Sequence, residues 1–252
     1  MDAGKLLTNY LLRLGDNALI LSHRLSELIG RTPAIEEELA VANVALDLIG
    51  QSRMWLTLAG TEEGLGRDED KLAYLRDAGE FRNLLLVEQP NGDFAQTIAR
   101  QFYFDAWHRL LLEKLARSTD ARIADIAAKA AKEVAYHLRR SQNWVVTLGD
   151  GTEDSHRRMQ GGIDDLWMYT GEMFETDPAE APLVEAGITI DHAWLREPWN
   201  TYIEPVLKEA TLEKPRAAFM QRGGRHGVHT EHLGFLLAEM QFLQRSYPNA
   251  IW

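Results

Sequence analysis

The sequence predicts an all-α protein. Apolar residues recur at spacings of three and four over long stretches, which is the signature of helices with one buried face. No stretch shows the two-residue alternation of a strand, and there is no internal repeat or low-complexity segment. The long stretches are separated by helix breakers: Gly30 and Thr32-Pro33, then QPNGD at 89–93, then GDGT at 149–152.

Taken in order, the first helix is expected over residues 5–29, with Leu12, Asp16, Leu19, Ile20 and His23 on one face. The second is expected over 34–58. Glu36, Glu37 and Glu38 suit the positive end of its dipole, and Ala40, Val44, Asp47 and Met54 share a face. Residues 60–66 read as a loop, followed by short helices over 68–77 and 80–88. The third and fourth long helices are expected over 94–117 and 120–148, and a fifth over 153–174. A loop with Pro178, Pro182 and Gly187 leads to a helix over 191–210. Pro198 and Pro205 lie inside it, so it is expected to be short, kinked or split. Residues 214–227 are the loosest stretch, and a last helix is expected over 230–247. No linker divides the chain, so residues 1–252 read as one helical domain.

Composition narrows the function. The 252 residues are enough for a substantial core. A formal net charge of −11 argues against a non-specific nucleic-acid binder. There are no cysteines, which rules out disulfides, thiolate metal sites, iron–sulfur clusters and cysteine nucleophiles in this chain. No apolar run is long enough to cross a bilayer and nothing at the N-terminus reads as a signal peptide, so a cytoplasmic protein without a membrane partner is expected.

Each of the four longest helices carries an acid on a largely apolar stripe: Asp16, Asp47, Asp105 and Glu133. Asp105 lies seven residues from both Ile98 and Leu112, and Glu133 seven from Ile126. Buried acids are costly unless paired, protonated or bound to metal. Four of them, one per helix, form the skeleton of a ferritin-like di-iron bundle, which takes Glu from two helices and Glu-x-x-His from two others. Here the ligand set is degraded. Three acids are Asp, and the positions three residues after Asp47 and Glu133 hold Gly50 and Tyr136 instead of His. His137 lies one residue further round the helix, and His108 follows Asp105 on a helix where the pattern wants a lone acid. The missing ligands favour structural polar contacts over a working di-metal site or a weak single-metal one. His23, His108 and His137 are the expected neighbours of the acids.

These residues bring a resemblance. The segments LLRLGDNALILSHRL, AVANVALDLIGQSR, FRNLLLVEQPNGDFAQTIARQFYFDAWH, KEVAYHLRRSQNW and GGRHGVHTEHLGFLLAEMQFLQR resemble the ferritin-like, non-catalytic C subunits of bacterial multicomponent 1,2-phenylacetyl-CoA epoxidases, which are ring monooxygenases. The resemblance runs over nearly the whole chain. It implies a ferritin-like four-helix bundle with additional C-terminal helices, no metal and no catalytic residue in this chain, and vestigial di-iron positions at Asp16, Asp47, Gly50, Asp105, Glu133 and Tyr136. It also implies a hetero-oligomer with a homologous catalytic subunit that holds the di-iron centre and inserts one atom of O2 into the ring of phenylacetyl-CoA. Other epoxidase subunits join the complex, and a reductase with NADPH, flavin and an iron–sulfur cluster supplies electrons. Phenylacetyl-CoA is expected at or near the interface between the two subunits, with Glu80, Phe81, Arg82 and Asn83 as a CoA-facing edge. Two other classes compete: a catalytically active di-iron carboxylate oxygenase subunit, and an iron-storage or purely structural helical protein. The absent Glu-x-x-His pair argues against an active di-iron centre and against storage.

Three further features stand out. His229-Thr230-Glu231-His232 has metal-like spacing, but it opens a helix, where Thr230 suits an N-cap. The run RGGRHG before it, with Arg222 and Arg225, reads as a mobile loop or a phosphate cradle. Trp107, Trp144 and Trp167 are expected in the core, whereas Trp194, Trp199 and Trp252 lie in irregular or terminal regions where a partner could cover them.

Overall fold

A computed structural model describes residues 3–248 and 250. Trp252 lies outside the described residues. In chain order the helices are α1 Ala3–Leu28, α2 Ile35–Glu63, α3 Glu69–Tyr74, α4 Leu85–Glu88, α5 Phe94–Leu115, α6 Ala121–Gly149, α7 Glu153–Trp167, α8 Ala181–Glu185, α9 Arg196–Glu209, α10 Glu231–Met240 and α11 Phe242–Ser246, joined in places by short 3-10 turns. Among the described residues there is no strand. The fold is all-α and ferritin-like, with four long helices supplied as two antiparallel pairs. None of the described helices is long and apolar enough to cross a membrane. The helices group into two compact units: residues up to Pro90 together with those from Arg222 onward, and Asn91–Gln221.

The first unit is built on the α1–α2 hairpin. Gly15 lets the two helices close, because a Cβ there would run into the Leu56 side chain. The α2 helix extends past the expected end at 58 to Glu63. Ala59 and Gly60 are buried inside it, and it stops where Gly64 adopts φ 70° and donates its N–H to the Gly60 carbonyl. Gly60 is therefore helical rather than part of a loop, and its bare Cα makes room for the Arg67 carbonyl.

The helix expected over 80–88 does not form. A 3-10 turn at Ala78–Glu80 is followed by extended backbone from Phe81 to Leu84, and only Leu85–Glu88 is helical. The cause is long-range. Side chains of α1 reach over and take the N–H groups that a helix would need: Asp16 accepts from Arg82 and Asn17 accepts from Leu84, each at 2.8 Å. The last helix is likewise two pieces, α10 and α11. They meet at Gln241, whose amide donates to the carbonyls of Ala73 and Arg76, each at 3.0 Å.

The second unit is built on the α5–α6 hairpin, with α7 packed on both. Asp93, Asp120 and Thr152 cap the starts of α5, α6 and α7 by accepting backbone N–H groups. The α7 helix ends at Trp167, short of the expected 174, and a 3-10 turn covers Gly171–Phe174. In α9, Pro198 falls in the first turn, where its missing N–H costs nothing, while Pro205 sits inside.

Candidate functional site

In the first unit Asp16 is fully buried, and a guanidinium claims it. Arg76, also buried, donates Nη1 to Oδ2 at 3.0 Å and Nη2 to Oδ1, a bidentate pair. Arg76 further donates to the carbonyls of Leu72 and Glu80 and lies over the Phe81 ring, 4.3 Å from its centroid. With the Arg82 N–H on Oδ2, both carboxylate oxygens of Asp16 are engaged.

The segment 80–83 divides into two kinds of residue. Phe81 and Asn83 are fully buried, and the Asn83 amide donates to Glu88 Oε2 at 2.9 Å. The expectation that these two front a ligand is therefore corrected: the side chains are spent on packing and hydrogen bonds. Glu80 and Arg82 do reach an open cleft of about 440 Å³, shared with Lys5, Asn9, Leu12 and Arg67. Glu80 accepts the Asp77 N–H at 2.8 Å. Arg82 Nη1 donates to the Gly79 and Phe81 carbonyls, each at 2.7 Å. Burial pulls the Arg82 pKa down, as do the neighbouring Arg76 and Arg13, while Asp16 and Glu80 oppose the shift.

Glu88 is the second buried carboxylate of this unit, and periodicity did not single it out. It accepts from Asn83, from the Thr230 N–H at 2.7 Å and hydroxyl at 2.8 Å, and from His229 Nδ1 at 2.8 Å. His229 Nε2 faces the Phe81 carbonyl at 3.1 Å. Both ring nitrogens thus face oxygens that only accept, so both carry a proton and the ring is an imidazolium. Burial pulls its pKa down, but the Glu88 hydrogen bond and charge, the Phe81 carbonyl and the Asp16 charge outweigh this and hold it above the ordinary value. Thr230 occupies the N-cap position expected of it, yet its hydroxyl serves Glu88 and makes no cap bond to α10. The glycine-rich run before it is packed rather than mobile. Gly224 and Arg225 are buried, and a Cβ at Gly224 would strike the Asn83 carbonyl.

In the second unit Asp105 is fully buried and accepts from Gln101 Nε2 at 2.6 Å and Ser141 Oγ at 2.9 Å. Burial raises its pKa to about 7, with the two hydrogen bonds and Arg140 pulling the other way. His108 lies against Phe104 and Trp107, and burial, aided by His137, lowers its pKa to about 3. His137 is buried too. The acids were expected to find histidine partners; the hydrogen bonds of Asp16 and Asp105 go instead to Arg76, Gln101 and Ser141. His23 is half-buried, and burial lowers its pKa against the opposing charge of Glu27.

Asp47 and Glu133 are half-buried rather than turned fully inward. Gly50 is exposed, with open space around its missing Cβ. Tyr136 is 42% exposed, under the Arg139 guanidinium. Trp199 is buried and donates to the Tyr103 carbonyl at 3.1 Å, so it is a core residue and not a partner contact. Trp107 and Trp167 are buried, Trp144 is half-buried against Phe94, and Trp194 is exposed.

This donor set does not fit a di-iron pair. Hard metal ions need several free carboxylates and imidazoles. Here Asp16 and Asp105 have their oxygens engaged, and Gly50 and Tyr136 offer no ring nitrogen. Among the described residues no three His, Asp or Glu side chains are grouped to hold a metal ion.

The family described as Phenylacetic acid catabolic protein matches residues 2–252. The chain belongs to this family. It is also 50% identical, over 246 residues, to the Escherichia coli (strain K12) protein named as the C subunit of 1,2-phenylacetyl-CoA epoxidase, an alignment covering 98% of this chain and 99% of that one. Membership over the full length means that the buried Asp16–Arg76 pair and the Glu88–His229 cluster belong to a family member's fold and not to an appended segment.

Proposed function

We propose that this chain is the structural, non-catalytic ferritin-like subunit of a cytoplasmic phenylacetyl-CoA 1,2-epoxidase complex in aerobic phenylacetate catabolism. It forms a hetero-oligomer with a homologous catalytic subunit that holds the di-iron centre, while a reductase with NADPH, flavin and an iron–sulfur cluster feeds that centre electrons. The observation that carries this reading is the 50% identity, over 98% of the chain, to a protein named as the C subunit of that epoxidase.

The division of labour has a local rationale. Arg76, Gln101 and Ser141 engage the acids that a metal would otherwise need, so this chain contributes a preformed helical scaffold and leaves oxygen chemistry to its partner. Within 80–83, Glu80 and Arg82 line the open cleft, so a contribution of this segment to the acyl-CoA site falls to those two side chains.

The test is co-expression with the catalytic subunit, size-exclusion chromatography, and NADPH oxidation coupled to product analysis. The expected result is a stable hetero-oligomer, no turnover by this chain alone with reductase and NADPH, and far less than one iron per chain by elemental analysis. Turnover by the isolated chain would overturn the reading.

A further inference from the structure

The cleft beside Asp16 keeps an excess of positive charge after its ion pairs are counted. Its walls carry four cations, Lys5, Arg67, Arg76 and Arg82, and three carboxylates, Glu62, Glu63 and Glu80. Arg67 is held bidentately by Glu63. Arg76 is held by Asp16 below the floor. Glu80 is turned to the Asp77 backbone, and Glu62 has its own contact. Among the described residues this leaves Lys5 and Arg82 as cleft cations outside any ion pair. The Arg82 hydrogen bonds use Nη1 alone, toward backbone carbonyls.

Lys5 and Asn9 are one turn apart on α1, so their side chains share a face, and Leu12 continues that face with an apolar wall. The Asn9 amide makes no hydrogen bond among the described residues. It therefore stands as a neutral donor beside two cations. A half-buried guanidinium with free N–H groups, an ammonium and an amide donor match an oxyanion bearing two charges. The volume of about 440 Å³ exceeds what one phosphate fills and falls in the range of small-molecule sites.

We propose that this cleft binds the phosphoryl group of a small phosphorylated molecule, held by Lys5, Asn9 and Arg82. The proposal deepens the reading of Arg82 given above and adds Lys5 and Asn9 to it. It does not need the complex to be tested, because the cleft is built from this chain alone.

The experiment is isothermal titration of the purified full-length chain, at low ionic strength, with inorganic phosphate, adenosine 5′-monophosphate and uncharged adenosine. Saturable binding of the two phosphate-bearing probes, and none of adenosine, is expected. Tighter binding of the nucleotide assigns the ligand to an organic phosphate, and equal binding assigns it to free phosphate. Lys5→Gln and Arg82→Gln should each weaken binding by roughly tenfold, the loss of one charge-assisted contact. Lys5 is exposed, so its variant is read without concern for folding, and circular dichroism checks the Arg82 variant. No saturable binding of either phosphate by the parent chain, or parental affinity in both variants, would overturn the proposal. Hetero-oligomer formation with the catalytic subunit is scored separately on the Lys5 variant. A failed subunit assignment would show there while phosphate binding persisted.

Discussion

Replacing Arg76 by Met isolates the energetics of the buried pair. Met keeps most of the aliphatic stem but removes the guanidinium, leaving Asp16, which has no exposure, with the Arg82 N–H as its remaining hydrogen bond in this cluster. Stranding one member of a buried pair costs about 3–5 kcal/mol. At about 2–4 °C per kcal/mol for a chain of this size, the melting temperature should fall by roughly 6–20 °C. Removing both charges, in Asp16→Leu with Arg76→Met, abolishes the stranded carboxylate. It leaves the Arg82 N–H without its acceptor, at about 1–3 kcal/mol. The double variant should therefore be more stable than Arg76→Met alone, by about 2 kcal/mol, a coupling readable from a double-mutant cycle in urea followed by circular dichroism. An Arg76→Met variant within about 1 kcal/mol of the parent, or a double variant costing the sum of the singles, would refute the reasoning.

Asp105 and His108 should cancel in the pH dependence of stability. Asp105, at about 7 in the fold against an ordinary value near 3.9, contributes stability that is lost as pH rises between those values; His108, at about 3 against about 6.5, contributes stability that is lost as pH falls between them. Between about pH 4 and 6.5 the two slopes oppose, so relative to the parent Asp105→Asn should gain stability with rising pH, by up to about 1.4 kcal/mol per unit, and His108→Gln should lose it. Flat difference curves from urea melts would refute this. His229, held above its ordinary value, stabilises the fold below about pH 6.5, and that contribution disappears as pH climbs through the raised value. NMR titration of its ring should show the elevated pKa, and Glu88→Gln should lower it; an unshifted value in the parent refutes the imidazolium. Gly224→Ala should destabilise by roughly 1–3 kcal/mol, since the new methyl meets the backbone of Asn83 and Leu85. Gly50→Ala, in open space on a helix, should stabilise by up to about 1 kcal/mol, and the reverse order in thermal melts would contradict the geometry.

Helix content was legible because it is written in spacings of three and four and in breakers such as Gly30, Gly64 and QPNGD. The inward placement of Asp16 and Asp105 was legible for the same reason. The partners were not. Arg76 is 60 residues from Asp16, and His229 is 141 residues from Glu88, and no local period records contacts at that range. The extended run at 81–84 was misread as helix on the same account, since its backbone is held by side chains of α1. Gln101 is the exception: it precedes Asp105 by one turn, so the rule that residues four apart share a face could have found it. Asp47 and Glu133 followed the apolar pattern of their helices yet are half-buried, because a stripe tells which way a residue turns and not how deep the contact covers it.

The first unit is interrupted in sequence by the whole of the second, and this sets an order of events on the ribosome. Glu88 emerges with the α1–α2 hairpin, but His229 and Thr230, which supply three of its hydrogen bonds, follow much later. At translation rates of about 5–20 residues per second, the 141 intervening residues take roughly 7–28 s. During that interval the continuous stretch Asn91–Gln221 is complete and free to fold, whereas the earlier-made unit waits with a carboxylate lacking its imidazolium. The nascent chain therefore closes its first-made part last, and release of the C-terminus is the step that seals it.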